Sequence, residues 1–270
     1  MAKTRQLWMR DGEIIINKRK FPYDQFDFEF DIIFDEWAEP NMSEATMYNL
    51  SDSTLNQITQ GSSIIINAGY KGDVGLICLG RIDKVVTTWE GVDRVTELTI
   101  GDAAQEWFYS RISKTYQKGT KASTILRDVC ATFGLEIGDF ELKNDITYQL
   151  GRSVNGMLYQ VLLDVVKDTG SKCYIINSRI YIRPYEKGDP TGVLLNSSTG
   201  LIESPERVEH EAEDGMPGYV GYKVKCLLNH RINVDSIIRL DSKTVKGDFR
   251  VIEGTHNGSD WITECEVMPL

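Results

Sequence analysis

The sequence predicts a mainly β protein with an α+β insertion: two related β-barrel domains, residues 1–104 and 186–270, flank a small α/β domain at 105–185. Three observations carry this prediction. Apolar residues alternate with a period of two through Phe26–Phe34 and again around Tyr222–Leu228. The period changes to that of a helix between Lys121 and Gly170. A short pattern, Ser-Ile-Ile followed by Lys-Gly-Asp and then a glycine, occurs on both sides of that helical region.

In the first β segment, FDFEFDIIF places Phe26, Phe28, Phe30, Ile32 and Phe34 on one side of an extended chain and Asp27, Glu29 and Asp31 on the other. That reads as a half-buried strand. Ser63–Ala68 and Gly75–Glu90 are rich in Ile, Val and Thr, and Glu90-Gly91-Val92-Asp93 turns the chain into Arg94–Ile100, giving an antiparallel meander. This first barrel is expected to accept strands from elsewhere in the chain.

From Lys121 to Gly134, Ile125, Leu126, Val129, Cys130 and Phe133 fall on one helical face, with Thr120 or Ser123 as the expected cap and Gly134 as the stop. A second helix is expected from a Ser153 cap to Gly170, with Met157, Leu158, Val161, Leu162, Val165 and Val166 as its apolar stripe. Cys173–Ile176 and Arg179–Arg183 then form a hairpin turning at Asn177-Ser178. Beyond Pro190 strands return: Tyr222, Val224, Cys226 and Leu228 share one face, and a last hairpin turns at Asn257-Gly258 between Phe249–Glu253 and Trp261–Val267.

Composition excludes several functions. With 40 acidic and 30 basic residues the formal charge is −10, which argues against a general nucleic-acid-binding surface, and Lys18-Arg19-Lys20 reads as a solvated turn. Met1–Glu13 lacks the apolar run of a signal peptide, and no segment has the length of a membrane span, so a soluble chain is expected. The five cysteines form no C-x-x-C pair and read as buried hydrophobes in a reducing compartment. His210, His230 and His256 lack metal-ligand spacing, so no metal and no cofactor is expected. The acidic stretch Glu209–Gly215 reads as a solvated loop, a cation site there being the lesser alternative. Asp27 and Glu29 lie on an alternating strand and read as a solvated face, not a glycosidase pair. The glycines of Gly69–Gly75 lead into a strand and not a helix, as a hairpin turn would. No catalytic residue is assigned.

The repeat has a geometric use. Ser63-Ile64-Ile65, Lys71-Gly72-Asp73 and Gly80 are echoed by Ser236-Ile237-Ile238, Lys246-Gly247-Asp248 and Gly254. If one chain carries two similar β modules and three chains surround an axis, six modules make a ring, and a three-fold object can meet a six-fold one. Open edges of long β-branched strands such as Leu76–Thr88 also favour assembly. A fragment ending at Arg183 is expected to stay soluble and to be unable to close that ring.

Met47–Ile82, Lys118–Leu135, Thr199–His210 and Lys246–Met268, the last with His256 and Trp261, resemble tail hub proteins of the late control protein D type. The resemblance covers nearly the whole chain and rests on strand and glycine patterns. It implies two tail-tube-like barrels and a homotrimer on the axis of a contractile baseplate. The partners it implies are the tail tube protein, the spike protein, the tape measure protein and other baseplate proteins. The chain would be made in the bacterial host cytoplasm, and spike and cell-wall hydrolase would be separate polypeptides. Two alternatives accompany it. The helix, helix and hairpin region resembles small LysM-like sugar-binding modules, which would suit a peptidoglycan-binding or cell-wall-degrading tail component. The same architecture would also serve a type VI secretion spike hub or a phage-tail-like bacteriocin.

Overall fold

A computed structural model describes residues 7–37, 41–101, 109–210 and 218–270. The chain is mainly β and divides into two compact units: residues 1–35, 42–101 and 188–270 in the first, 36–41 and 102–187 in the second.

The first unit opens with β1 (Arg10–Ile16) and β2 (Arg19–Pro22), followed by β3 (Phe28–Asp35) and β4 (Met42–Tyr48). After the one-turn α1 (Asp52–Leu55) come β5 (Ser63–Tyr70), β6 (Asp73–Glu90) and β7 (Asp93–Gly101). Its second β segment supplies β15 (Asp189–Leu195), β16 (Glu206–His210), β17 (Tyr219–Leu227), β18 (Ser236–Asp241), β19 (Lys246–Asn257) and β20 (Ile262–Pro269). The alternation in β3 does what its pattern requires: Phe28, Phe30, Ile32 and Phe34 are buried while Glu29 and Asp31 face out. Their core includes Ile14, Ile64, Ile66, Met47 and Leu98, and it receives Trp261 from the far end of the chain. Tyr23 meets the Trp261 ring edge-on with centroids 5.1 Å apart, inside the range of about 4.5–7 Å typical of aromatic pairs.

All these strands belong to one sheet of 13 strands, so the two expected barrels share strands of one sheet within the chain. Among the described residues the strand path runs open from β16 to β2 and closes nowhere on itself. The junction is β3 against β19, antiparallel from Asp31 opposite Asn257 to Asp35 opposite Glu253. The physical reason lies at Gly254: a Cβ there would sit 2.5 Å from both the Glu264 carbonyl oxygen and Phe34 Cζ, so only glycine lets the two strands approach.

Within that sheet the strand order is repeated. The first segment runs β3-β4-β7-β6-β5 and the second β16-β17-β20-β19-β18, with every neighbouring pair antiparallel. Each long strand carries an extra residue against its partner, Asp83 in β6 and Ile252 in β19. Gly61 N–H donates to the Ile82 carbonyl (2.7 Å), and Asp235 N–H donates to the Val251 carbonyl (3.0 Å). These anchors align Ile82 with Val251, Ile64 with Ile238 and Ile66 with Leu240, all fully buried.

The repeated tripeptides themselves do not coincide. The Ser-Ile-Ile copies are one residue out of register, so that Ser63 is exposed and Ser236 buried. Lys71-Gly72 forms a two-residue turn, whereas Lys246-Gly247-Asp248 lies inside β19 because the preceding turn is longer. Two differences separate the copies: β5 lies against antiparallel β1, while β18 lies against parallel β15, and only the β5–β6 pair has a second bulge.

The second unit contains β8 (Arg111–Tyr116), β9 (Thr120–Lys121), α2 (Ala122–Phe133), β10 (Glu136–Phe140), β11 (Thr147–Tyr148) and β12 (Arg152–Met157). It ends with α3 (Leu158–Asp168), β13 (Ser171–Ile176) and β14 (Arg179–Pro184). The predicted stripe residues Ile125, Leu126, Val129, Leu162 and Val165 pack with Ile175, Ile180 and Ile182 in its core. The hairpin turns at Asn177 and Ser178, both with positive φ, as predicted.

The helix starts differ from expectation. Neither Thr120 nor Ser123 caps α2; Asp145 accepts from Ser123 N–H and hydroxyl, both 2.9 Å, so a distant carboxylate satisfies the helix start. Ser153 lies in β12 opposite Thr115, and α3 begins only at Leu158, because pairing with β8 claims the intervening residues. Gly134 does end α2, at φ 70°.

Candidate functional site: an acidic sheet face and two open strand edges

The residues weighed for chemistry are scattered over the fold. Asp27 and Glu29 are exposed, the latter on β3. All five cysteines are free and buried, and burial pushes the Cys130 and Cys226 thiols up to about 12. His230 Nε2 lies 3.3 Å from Asp73 Oδ1, beside the Arg231 guanidinium that donates to Asp73 Oδ2 at 2.9 Å. His256 is buried with Nδ1 2.9 Å from Thr263 Oγ1, and burial lowers its pKa to about 3 despite a hydrogen bond to the Ile232 backbone. Gly69–Gly75 forms the β5–β6 hairpin. Among the described residues no group of three or more His, Cys, Asp or Glu side chains is placed to hold a metal. Of the acidic stretch, Glu209 and His210 belong to β16, and residues 211–215 lie outside the described residues. No helix among the described residues is long and apolar enough to cross a membrane.

The distinctive surface is the side of the large sheet opposite the Phe28–Phe34 core. Pairing register aligns the residues of this side in rows: Glu29 with Thr46 and Glu97, Asp31 with Glu44, and Glu253 with Glu266, Lys223 and Glu206, of which Glu266 is buried beside His210. Part of this face is a groove of about 360 Å³ lined by Glu203, Glu206, Glu253, Glu264 and Glu266, with Lys223 and Lys225 as its cations. The Lys225 ammonium lies 2.7 Å from Glu264, which raises its pKa through a hydrogen bond to that carboxylate. A net negative surface of this kind repels polyanions. Sequence reading found the acidic side of β3; continuation of that charge onto β19, β20 and β16 depends on the β3–β19 junction.

Among the described residues several strand edges are unpaired, those of β6 and β16 among them. β5 reaches β6 only as far as Arg81, so from Asp83 onward β6 pairs with β7 alone among the described residues. Among the described residues β16 pairs with β17 on one side only. At the tip of the β6–β7 ribbon Trp89 and Val92 are exposed, and Arg94 lies over the Trp89 ring at 5.0 Å.

Solved structures place this fold among tail proteins. The 43 kDa tail protein of prophage MuSo2 from Shewanella oneidensis matches with a TM-score of 0.71 at 9% identity, covering 96% of this chain and 98% of that one. A tail protein from Neisseria meningitidis MC58 matches at 0.68 with 9% identity, covering 97% of each chain. The E. coli c3393 protein, a type VI secretion component with structural similarity to T4 tail proteins gp27 and gp5, matches at 0.68 with 10% identity, covering 95% of this chain and 76% of that one. No curated protein matches. The family model described as baseplate hub gp41 matches residues 37–253, and the chain belongs to that family. It is a structural component of a virion tail or tail-like particle and not an enzyme.

Proposed function

We propose that the chain is the axial hub of a contractile baseplate, a homotrimer whose two β modules per chain make a pseudo-six-fold ring between the hexameric tail tube and a trimeric spike. The repeated strand order on either side of the inserted unit carries this reading: one chain supplies the same five-strand arrangement twice. The modules follow the segments 1–104 and 186–270, with 105–185 inserted between them. They are joined edge to edge through β3 and β19, so three chains supply six modules in alternation. Ring closure across chains would complete barrels that one chain leaves open.

The tube, spike, tape measure and neighbouring baseplate proteins are the partners of this role, and synthesis takes place in the host cytoplasm. The acidic sheet face lines the channel, where carboxylates keep passing nucleic acid from adhering. Similarity to both phage tail proteins and a type VI secretion component supports the hub architecture in either kind of particle.

Imaging of intact particles tests the assignment. Three copies on the tail axis are expected. Six copies, or a position away from the axis, would overturn it. The same maps test the channel: a neutral or basic lumen would sink the repulsion argument and leave the hub assignment standing.

A further inference from the structure

We infer that the open edge of β16 in one chain pairs antiparallel with residues 84–88 of β6 in the next chain of the ring. This rests on the trimeric hub reading and specifies its interface: a second copy of this chain, joined strand to strand. The template is the junction already present inside each chain. In the repeated strand order β3 corresponds to β16, and β19 corresponds to β6. Within the chain β3 pairs with β19 just beyond the bulge at Ile252. The matching partnership, β16 with β6 just beyond the bulge at Asp83, is unfilled among the described residues. Six equivalent junctions in a ring require three inside chains and three between them.

The register follows from the same correspondence. Asp31 and Glu206 occupy matching positions, since Asp31 lies opposite Glu44 and Glu206 opposite Lys223. Asn257, Thr255 and Glu253 match Thr88, Val86 and Lys84 when the two bulges are superimposed. Asp31 opposite Asn257 therefore becomes Glu206 opposite Thr88, Ile33 opposite Thr255 becomes Val208 opposite Val86, and Asp35 opposite Glu253 becomes His210 opposite Lys84. The side chains suit these places. Val86 and Val208, which face each other in this register, are both half-buried. An edge of unpaired N–H and C=O groups invites a strand, and a head-to-tail contact of this kind closes into a ring.

Gly258 N–H donates to the Phe30 carbonyl at the end of the internal junction, which makes Ile33–Thr255 a non-hydrogen-bonded pair. Its counterpart, Val86 with Val208, would then have Cα atoms about 4.5 Å apart, inside the disulfide range of about 4.4–6.8 Å. The test is a Val86→Cys/Val208→Cys chain assembled into particles and run on non-reducing gels. Reductant-sensitive covalent trimers are expected from it, and monomers from each single variant. A Val86→Cys/Glu209→Cys chain should also stay monomeric, since a one-residue slip turns the side chain to the other face. The five native cysteines are buried and leave the readout clean.

Monomeric double variant in particles imaged with three hub copies would overturn the strand pairing while leaving the hub reading intact. A disulfide confined to single chains would overturn it equally. A copy number other than three would overturn the underlying reading as well. Thr87→Pro provides a second measurement should the double variant not assemble, since residue 87 turns its N–H toward β16 in this register. The purified variant is expected to melt as wild type and fail to enter particles; normal incorporation would refute the pairing.

Discussion

Single side chains fix the β3–β19 junction. His256 sits against Phe34 with ring centroids 4.8 Å apart and is held neutral by burial, its pKa lowered to about 3. In the unfolded chain it titrates near 6.5. Between these values the unfolded state binds the extra proton, so its contribution to stability is complete above pH 6.5 and declines as the pH falls. The loss attributable to this residue is about 1.4 kcal/mol per pH unit. Denaturant titrations at pH 7, 6 and 5 should show His256→Asn losing stability less steeply than wild type; parallel slopes would assign the acid sensitivity elsewhere. Arg250 Nη1 donates to Asp235 Oδ1 at 2.8 Å with both side chains buried. Removing one charge strands the other, at a cost of about 3–5 kcal/mol. Arg250→Met and Asp235→Ala should each cost that much in urea melts, and the double variant less than their sum. Nothing in the local sequence marks Asp235 as buried: it follows Asn233-Val234 in a stretch that reads as a polar turn.

Among elements, those with a strong period were legible. The Phe-rich β3 from Phe28 on, the stripe of α2, that of α3 from Leu158 on and the Asn177-Ser178 hairpin lie where the pattern put them, while Phe26 precedes β3 and Met157 belongs to β12. Helix starts were not, because capping is decided by what arrives from elsewhere: Asp145 serves α2, and β8 draws Ser153 into a strand. The same applies to Gly254, which the sequence marks only as the glycine closing the repeated pattern. Its role is close approach, between Phe34 and the Glu264 carbonyl. Gly254→Ala should therefore destabilise by about 1–3 kcal/mol through overpacking, measured by urea unfolding, whereas a substitution at the exposed Lys243, such as Lys243→Arg, should be nearly neutral.

For the whole molecule, the junction alters what a truncated chain should do. A chain ending at Arg183 loses β19 and leaves unpaired the edge of β3 that faces away from β4. Such an edge invites pairing with other chains, so the expected soluble fragment is replaced by one that associates. Sedimentation at two concentrations checks this, and a monodisperse fragment would contradict it. Continuity of the sheet also carries the acidic face from β3 to β16 and, among the described residues, leaves β6 and β16 with unfilled edges at matching places in the two modules, so that charge, ring and interface share one arrangement.

The amino-acid pattern established a mainly β chain, an inserted helical region, buried cysteines and the absence of recognisable catalytic spacing, since these depend on local period and composition. It also pointed to an internal duplication, though through tripeptides that turned out to be out of register. Only the tertiary structure decided which strands repeat, because strand order and bulge position are set by pairing between residues as distant as Asp31 and Asn257. For the same reason the two β segments form one sheet: a strand's outer hydrogen-bonding groups do not specify their partner until packing brings one alongside.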